Sequence, residues 1–325
     1  MKKVMPQPMI LPAYQGIFPN PELDIKKYLV KAPRQTVRIV FFGSDPWSIL
    51  VLKTLEDNFD VQAVVTASDS AVADYFNGPI LTPDKLDSQF INSHLSFLTS
   101  DLFVVASYGK ILPQELLDIP KCGALNIHPS LLPKYRGPSP VPAAILNGDK
   151  ETGVTIIKMD QTMDHGPVVS TKKISMSGKE ELSELITKLF RAGAELLVEI
   201  ISDFINGKIK LKEQNHQKAT YTKIFKKEDG YFDINTPPSA DQLNRMIRAY
   251  HPWPGVWTKW NGKIVKFLPP TVIPAKAGIH TIGKTWIPDQ VRNDNTFLIQ
   301  MEGKKPQTLK DFLNGYPDFP LKTML

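Results

Sequence analysis

The chain has 325 residues, 42% hydrophobic and 22% charged, and a formal net charge of +6. That composition excludes a disordered or low-complexity polymer, and the length allows about two domains with sizeable cores. The single cysteine, Cys122, excludes an intrachain disulfide framework and a thiolate-rich metal site, and reads as a plain structural thiol.

Charge is unevenly spread. Residues 1–205 hold 20 Lys and Arg against 23 Asp and Glu, while residues 206–325 hold 19 against 10. A basic C-terminal part beside a near-neutral one fits an appendage for polyanions, with a lysine-rich solvated surface as the blander reading. No apolar run reaches the ~20 residues that span a bilayer, and prolines break "MKKVMPQPMILPAY" before a signal-peptide core can form. A cytoplasmic protein with no membrane partner is expected.

Residues 1–35 are proline-rich and without periodicity, and read as an N-terminal extension. From Thr36 the pattern is regular. "TVRIVFFG" is a buried strand closed by Gly43, and Trp47 to Leu55 carries helical spacing. "FDVQAVVTAS", "DLFVVASYG" and "GALNIH" are further strands, with helical material such as "PDKLDSQFINSHL" between them. Alternating strands and helices predict an α/β fold with a parallel sheet, which binds ligands beyond the carboxyl ends of its strands. The first turn, "GSDPWS", lacks the glycine pattern of a dinucleotide site, which argues against a nicotinamide enzyme.

"NIHPSLLPKYRG" places Asn126 and His128 at such a strand end. Residues two apart on a strand face the same way, so an amide and an imidazole can aim at one oxygen and form an oxyanion hole. On these two alone, backbone capping is the commoner explanation. A third group shifts the balance: the turn "MDQTMDHGP" offers Asp160 and Asp164, and a carboxylate beside the imidazole would orient it and stabilise its charged form. Asp164 is the better partner, Asp160 is expected to shape the turn, and His165 is expected to be incidental.

"GVTIIKMD" and "GPVVSTKKISM" predict a strand pair around that turn, and Lys179 to Asn206 is the longest helical pattern in the chain. A basic linker follows over 207–227. "SADQLNRMIRAYHPWPGVWTKWNGKIVKFLPP" then predicts a helix, a turn and a hairpin through Asn261-Gly262, opening a small β-rich domain over 228–325. The segment 271–295 resembles an inserted dispersed repeat and is expected to interrupt that domain. The unit over 36–206 is the catalytic candidate.

The motif "NIHPSLLPKYRG", followed by "ILNGDKETGVTIIKMDQTMDHGPVV", resembles the signature of the folate-dependent formyltransferases. The likeness continues through "RIVFFGSDP", "VVASYGKILPQELLDIP", "TYTKIFKKEDGYFDI", "MIRAYHPWPGVWTKWNGK" and "EGKKPQTLKDFLNG", covering about 37–266 and 297–319. It implies a Rossmann-like formyltransferase domain with a mostly parallel sheet, joined to a smaller OB-like β domain. It also implies Asn126, His128 and Asp164 as the catalytic trio, with 10-formyltetrahydrofolate as co-substrate and no metal. Folate is expected near Ser130, Leu131, Leu132 and Pro133, near the loop Tyr108, Gly109, Lys110, Ile111 and Leu112, and near Asp160.

Among acceptors, the similarity favours the α-amine of initiator methionyl-tRNA, handled by a monomer. One departure is that the segment after the second strand, "TASDSAVADYFNGPIL", lacks the basic residues the family carries there. That departure favours a nucleotide-linked amino sugar as the rival acceptor. Two further rivals are a hydrolase, with water as acceptor, and a non-catalytic RNA-binding relative.

Overall fold

The computed structural model describes residues 35–270 and 297–323. Most of the N-terminal extension and all of the insertion at 271–295 lie outside these residues.

The first unit is built on β1 (Gln35–Phe42), β2 (Phe59–Val65), β3 (Ile80–Leu81), β4 (Leu102–Val105), β5 (Ala124–His128), β6 (Glu151–Lys158) and β7 (Val168–Ser175). They form one sheet in the order β3-β2-β1-β4-β5-β6-β7. The first five run parallel, whereas β6 lies antiparallel to β5 and β7 antiparallel to β6. The alternating pattern therefore ends at β5, and the short turn predicted around Asp164 joins a hairpin.

Strands buried on both faces read as continuous apolar runs, because helices cover each side. Ile39 and Phe41 of β1 pack with Leu125 and Ile127 of β5, with Leu52 and Leu55 of α1 (Ser48–Asn58), and with Leu197 and Ile201 of the long helix Leu182–Ile205. The alternate residues Val40 and Phe42 pack with Phe103, Val105 and Ala124 against Phe90, Ile91 and Leu98 of the helix Ser88–Leu98. Period two thus assigns Asn126 and His128 to the Ala124 face, which also carries Tyr108 and Leu112.

Gly193 of the long helix explains its close approach to β5. A Cβ there would lie 2.6 Å from Ile127 Cγ2 and 3.1 Å from Val154 Cγ2, so only glycine lets helix and strand meet at this depth.

The second unit carries the helix Ala240–Tyr250, the strands β8 (Val256–Trp260), β9 (Lys263–Leu268), β10 (Leu298–Met301) and β11 (Gln307–Thr308), and the helix Leu309–Gly315. Its sheet is antiparallel, in the order β11-β10-β9-β8, and Asn261 and Gly262 take the positive φ values of the predicted hairpin turn. Leu268 pairs with Leu298, so the insertion joins two strands that bond directly to each other.

The two units share a core. Val141, Ala144 and Ile145 of the short helix Pro140–Leu146, with Leu185 and Leu189, pack against Leu243, Ile247, Val256 and Phe267. The stretch expected as a linker is fastened to the first unit: Lys212 exchanges backbone hydrogen bonds with Val168, and the Arg136 N–H donates to the Thr220 carbonyl at 2.8 Å. Among the described residues no helix is long and apolar enough to cross a membrane.

Candidate active site

The strand order reverses between β1 and β4, the place where an open α/β sheet opens a crevice. A cavity of about 730 Å³ lies there, walled by Asp45 and Trp47 after β1, by the loop Ser107 to Leu112 after β4, and by Asn126 and His128 of β5. Pro138, Val141, Met159, Asp160 and Asp164 complete its rim. The expected trio therefore meets in one place.

The Asn126 Nδ2 amide donates to Asp164 Oδ1 at 3.3 Å. His128 Nδ1 lies 3.4 Å from the same oxygen. Two groups from one strand face thus meet at a single atom, Asp164 Oδ1, as period two allows. His128 is nearly buried, and its Nε2 donates to the Tyr135 carbonyl at 2.9 Å, because a carbonyl can only accept. That bond leaves Nδ1 as the atom presented to Asp164 and the cavity, as an acceptor when the ring is neutral and a donor when it is protonated.

Asp164 is gripped separately. Its Oδ2 accepts the Gly137 N–H at 2.7 Å, and its backbone sits at φ 52°, the left-handed region that a non-glycine residue enters only when held there. Gly137 itself has φ 103°, and a Cβ would lie 2.8 Å from the Thr222 carbonyl oxygen, so glycine is needed to bring this N–H to the carboxylate.

The loop residues Tyr108, Gly109, Lys110, Ile111 and Leu112 line the cavity. Tyr108 is buried and its hydroxyl has no hydrogen-bond partner among the described residues; burial pushes its pKa up to about 12, so it stays a neutral donor. Lys110 turns its ammonium away, donating to the Pro83 and Asp84 carbonyls at 2.6 and 3.1 Å. Asp160 lines the cavity and accepts the Thr162 N–H at 2.9 Å, the turn-shaping role anticipated for it. His165 lies outside the cavity lining, with Nδ1 paired to Asp160 Oδ2 at 2.7 Å and its ring stacked on His216 at 4.0 Å.

Ser130, Leu131, Leu132 and Pro133 follow directly on His128 and Pro129 of the cavity wall but are not themselves among its lining residues. Thr155 draws this segment back over β6, its hydroxyl donating to the Ser130 carbonyl at 2.7 Å and accepting the Leu132 N–H at 3.1 Å. Ser130 is fully buried with its hydroxyl on the Lys134 carbonyl, and Leu131 packs over Gly153. Asp45 and Trp47 were not singled out from the sequence. The signal for them was positional, since they follow the strand at which the topology reverses.

A family model described as formyl transferase matches residues 25–201, and one described as its C-terminal domain matches 224–317. The methionyl-tRNA formyltransferase of Chloroflexus aggregans is 40% identical over 256 residues, covering 74% of this chain and 82% of that protein. That of Caldanaerobacter subterraneus is 33% identical over 312 residues, covering 89% and 100%. In solved structures the same fold occurs in a methionyl-tRNA formyltransferase from Clostridium thermocellum, with TM-score 0.51, 17% identity, and 84% and 99% of the two chains covered. It occurs also in HypX from Aquifex aeolicus in complex with tetrahydrofolic acid, with TM-score 0.58, 17% identity, and 89% and 48% covered. With both family models matched in order along the chain, and relatives 33–40% identical over most of its length, the chain belongs to the formyl transferase family.

Proposed function

We propose that this protein transfers the formyl group of 10-formyltetrahydrofolate to the α-amine of methionine carried on initiator tRNA. The carrying observation is the meeting of Asn126, His128 and Asp164 at the cavity wall, where Asn126 Nδ2 and His128 Nδ1 lie side by side against Asp164 Oδ1. The amine attacks the formyl carbon, forming a new C–N bond as the bond from that carbon to N10 breaks. Charge collects on the formyl oxygen, where the amide of Asn126 and the protonated imidazole of His128 donate. Asp164 accepts the proton that the amine sheds, and N10 gains a proton on leaving. The cavity suits a pterin in size and lining: Val105, Leu112 and Ile157 offer apolar walls, and Tyr108 offers an unpaired buried hydroxyl.

The tRNA acceptor is supported by the names of relatives at 33–40% identity and by the basic stretch after residue 206. Segment 66–81 favours an amino-sugar acceptor instead, because it carries no Lys or Arg and folds as the short helix Ala71–Tyr75 and β3. The test supplies purified protein with 10-formyltetrahydrofolate and either methionylated initiator tRNA, a nucleotide amino sugar, or water alone. Formyl-methionyl-tRNA is the expected product; formylated sugar, or formate without acceptor, overturns the assignment. Asn126→Ala is the control, expected to lower turnover by about 10²–10³, the effect of removing one oxyanion donor.

A further inference from the structure

Arg136 is the largest fully buried side chain among the described residues, and its contacts include no carboxylate. Its guanidinium donates to Gln214 Oε1 from Nη2 at 2.7 Å and from Nε at 3.3 Å, and from Nη2 to His216 Nδ1 at 2.8 Å. A guanidinium has donors only, so both partners must accept. This settles the orientation of the Gln214 amide, which geometry alone often leaves open. With Oε1 turned to Arg136, Nε2 faces two backbone carbonyls, those of Asp164 at 2.9 Å and Gly166 at 2.7 Å.

These carbonyls belong to the turn that carries Asp164 in its left-handed conformation. Such a conformation costs on the order of 1–2 kcal/mol and persists only where surroundings impose it. Two bonds from one amide fasten the turn at Asp164 and two residues beyond it, while the Gly137 N–H holds the Asp164 carboxylate. Arg136 and Gly137 are adjacent, so one dipeptide grips Asp164 twice: directly through a backbone N–H, and indirectly through Gln214.

We propose that Gln214, oriented by Arg136, is a positioning residue for the catalytic carboxylate, and that the stretch after the long helix is thereby built into the active site. This deepens the formyl-transfer reading and rests on it for its kinetic consequence. The informative substitution is Gln214→Glu. It keeps shape and volume and still offers Arg136 an acceptor, but it sets an oxygen where the two carbonyls need a donor. Gln214→Leu removes both interactions and serves as the second variant.

In Gln214→Glu, kcat is expected to fall by about 10–100-fold, the scale of a displaced catalytic group, with KM for folate and tRNA within about twofold. The pH profile of kcat should change shape, which a purely structural strap would not cause. Amide hydrogen exchange at Gly137, whose N–H is held by Asp164, should quicken by about tenfold in the same folded protein. Unchanged kcat in both variants overturns the proposal. Should the unsubstituted protein fail to formylate methionyl-tRNA, the acceptor assignment falls, and Gly137 exchange still decides the brace: unchanged protection in Gln214→Glu overturns it.

Discussion

Two carboxylates attached to the same sheet are held by opposite kinds of partner. Asp101, immediately before β4, receives the Arg38 guanidinium at 3.2 Å and the Lys121 ammonium at 2.7 Å, besides the Arg38 N–H at 3.0 Å. Asp164, on the β6–β7 turn, receives a backbone N–H and a side-chain amide, and faces an imidazole. Full cationic neutralisation leaves Asp101 with nothing to offer a substrate. Neutral donors fix Asp164 in place and leave its charge available to a proton or a developing cation. Partner type, more than burial, separates the stabilising carboxylate from the one to which the proposed mechanism assigns the chemistry.

The same substitution at both positions should break the comparison cleanly. Asp164→Asn keeps an acceptor for Gly137 but removes the charge and the base. Its kcat is expected to drop by about 10²–10⁴, the range for a lost general base, with thermal stability little changed. A variant retaining full turnover would remove Asp164 from the chemistry. A variant that merely melts early would recast it as structural, like Asp101.

Between these extremes lies the floor beneath the site. Ile127 sits between Asn126 and His128 and faces the opposite side of the sheet, against Gly193. Gly193→Ala forces a Cβ against Ile127 Cγ2, a branch fixed close to the strand backbone that cannot swing away. Overpacking of this kind costs about 1–3 kcal/mol in stability. Because the strand that must yield carries both oxyanion donors, kcat should also fall by about tenfold. Denaturant melts and initial rates on the same sample check both effects. A stability loss without a rate loss would mean that β5 absorbs the strain away from its tip.

How much of the molecule is legible in its sequence follows the range of each interaction. Asn126 and His128 were legible because period two along one strand determines which side chains share a face. Asp164 was legible as a carboxylate in a short turn, and through the resemblance. The course of Ser130 to Pro133 was not legible, because the direction of the chain there depends on Thr155, a residue on another strand. The Arg136–Gln214 brace joins positions 78 residues apart, and a glutamine within "KLKEQNHQK" carries no periodic or motif signal. Similarly, the basic stretch over 207–227 looks like a linker by composition, whereas backbone bonds to Val168 and Arg136 and the Gln214 side chain tie it to the site.

The smallest expected effect belongs to Asp101, and its sign is set by its partners. The Arg38 guanidinium, followed by Lys121, holds its carboxyl well below the usual carboxylate range. A carboxyl depressed on folding adds stability in full above its unfolded value of about 4, and loses it as pH falls toward the lower folded value. Asp101→Asn should therefore lower the melting temperature by roughly 2–4 °C at pH 7, since the pair is partly exposed and screened. The gap to the unsubstituted protein should narrow below about pH 4, while formyl transfer at neutral pH stays unchanged. Melting curves at pH 7 and pH 3 decide it. An equal gap at both would mean that the aspartate contributes through shape and hydrogen bonding alone, and that the charge contrast with Asp164 does not govern how the two carboxylates divide their work.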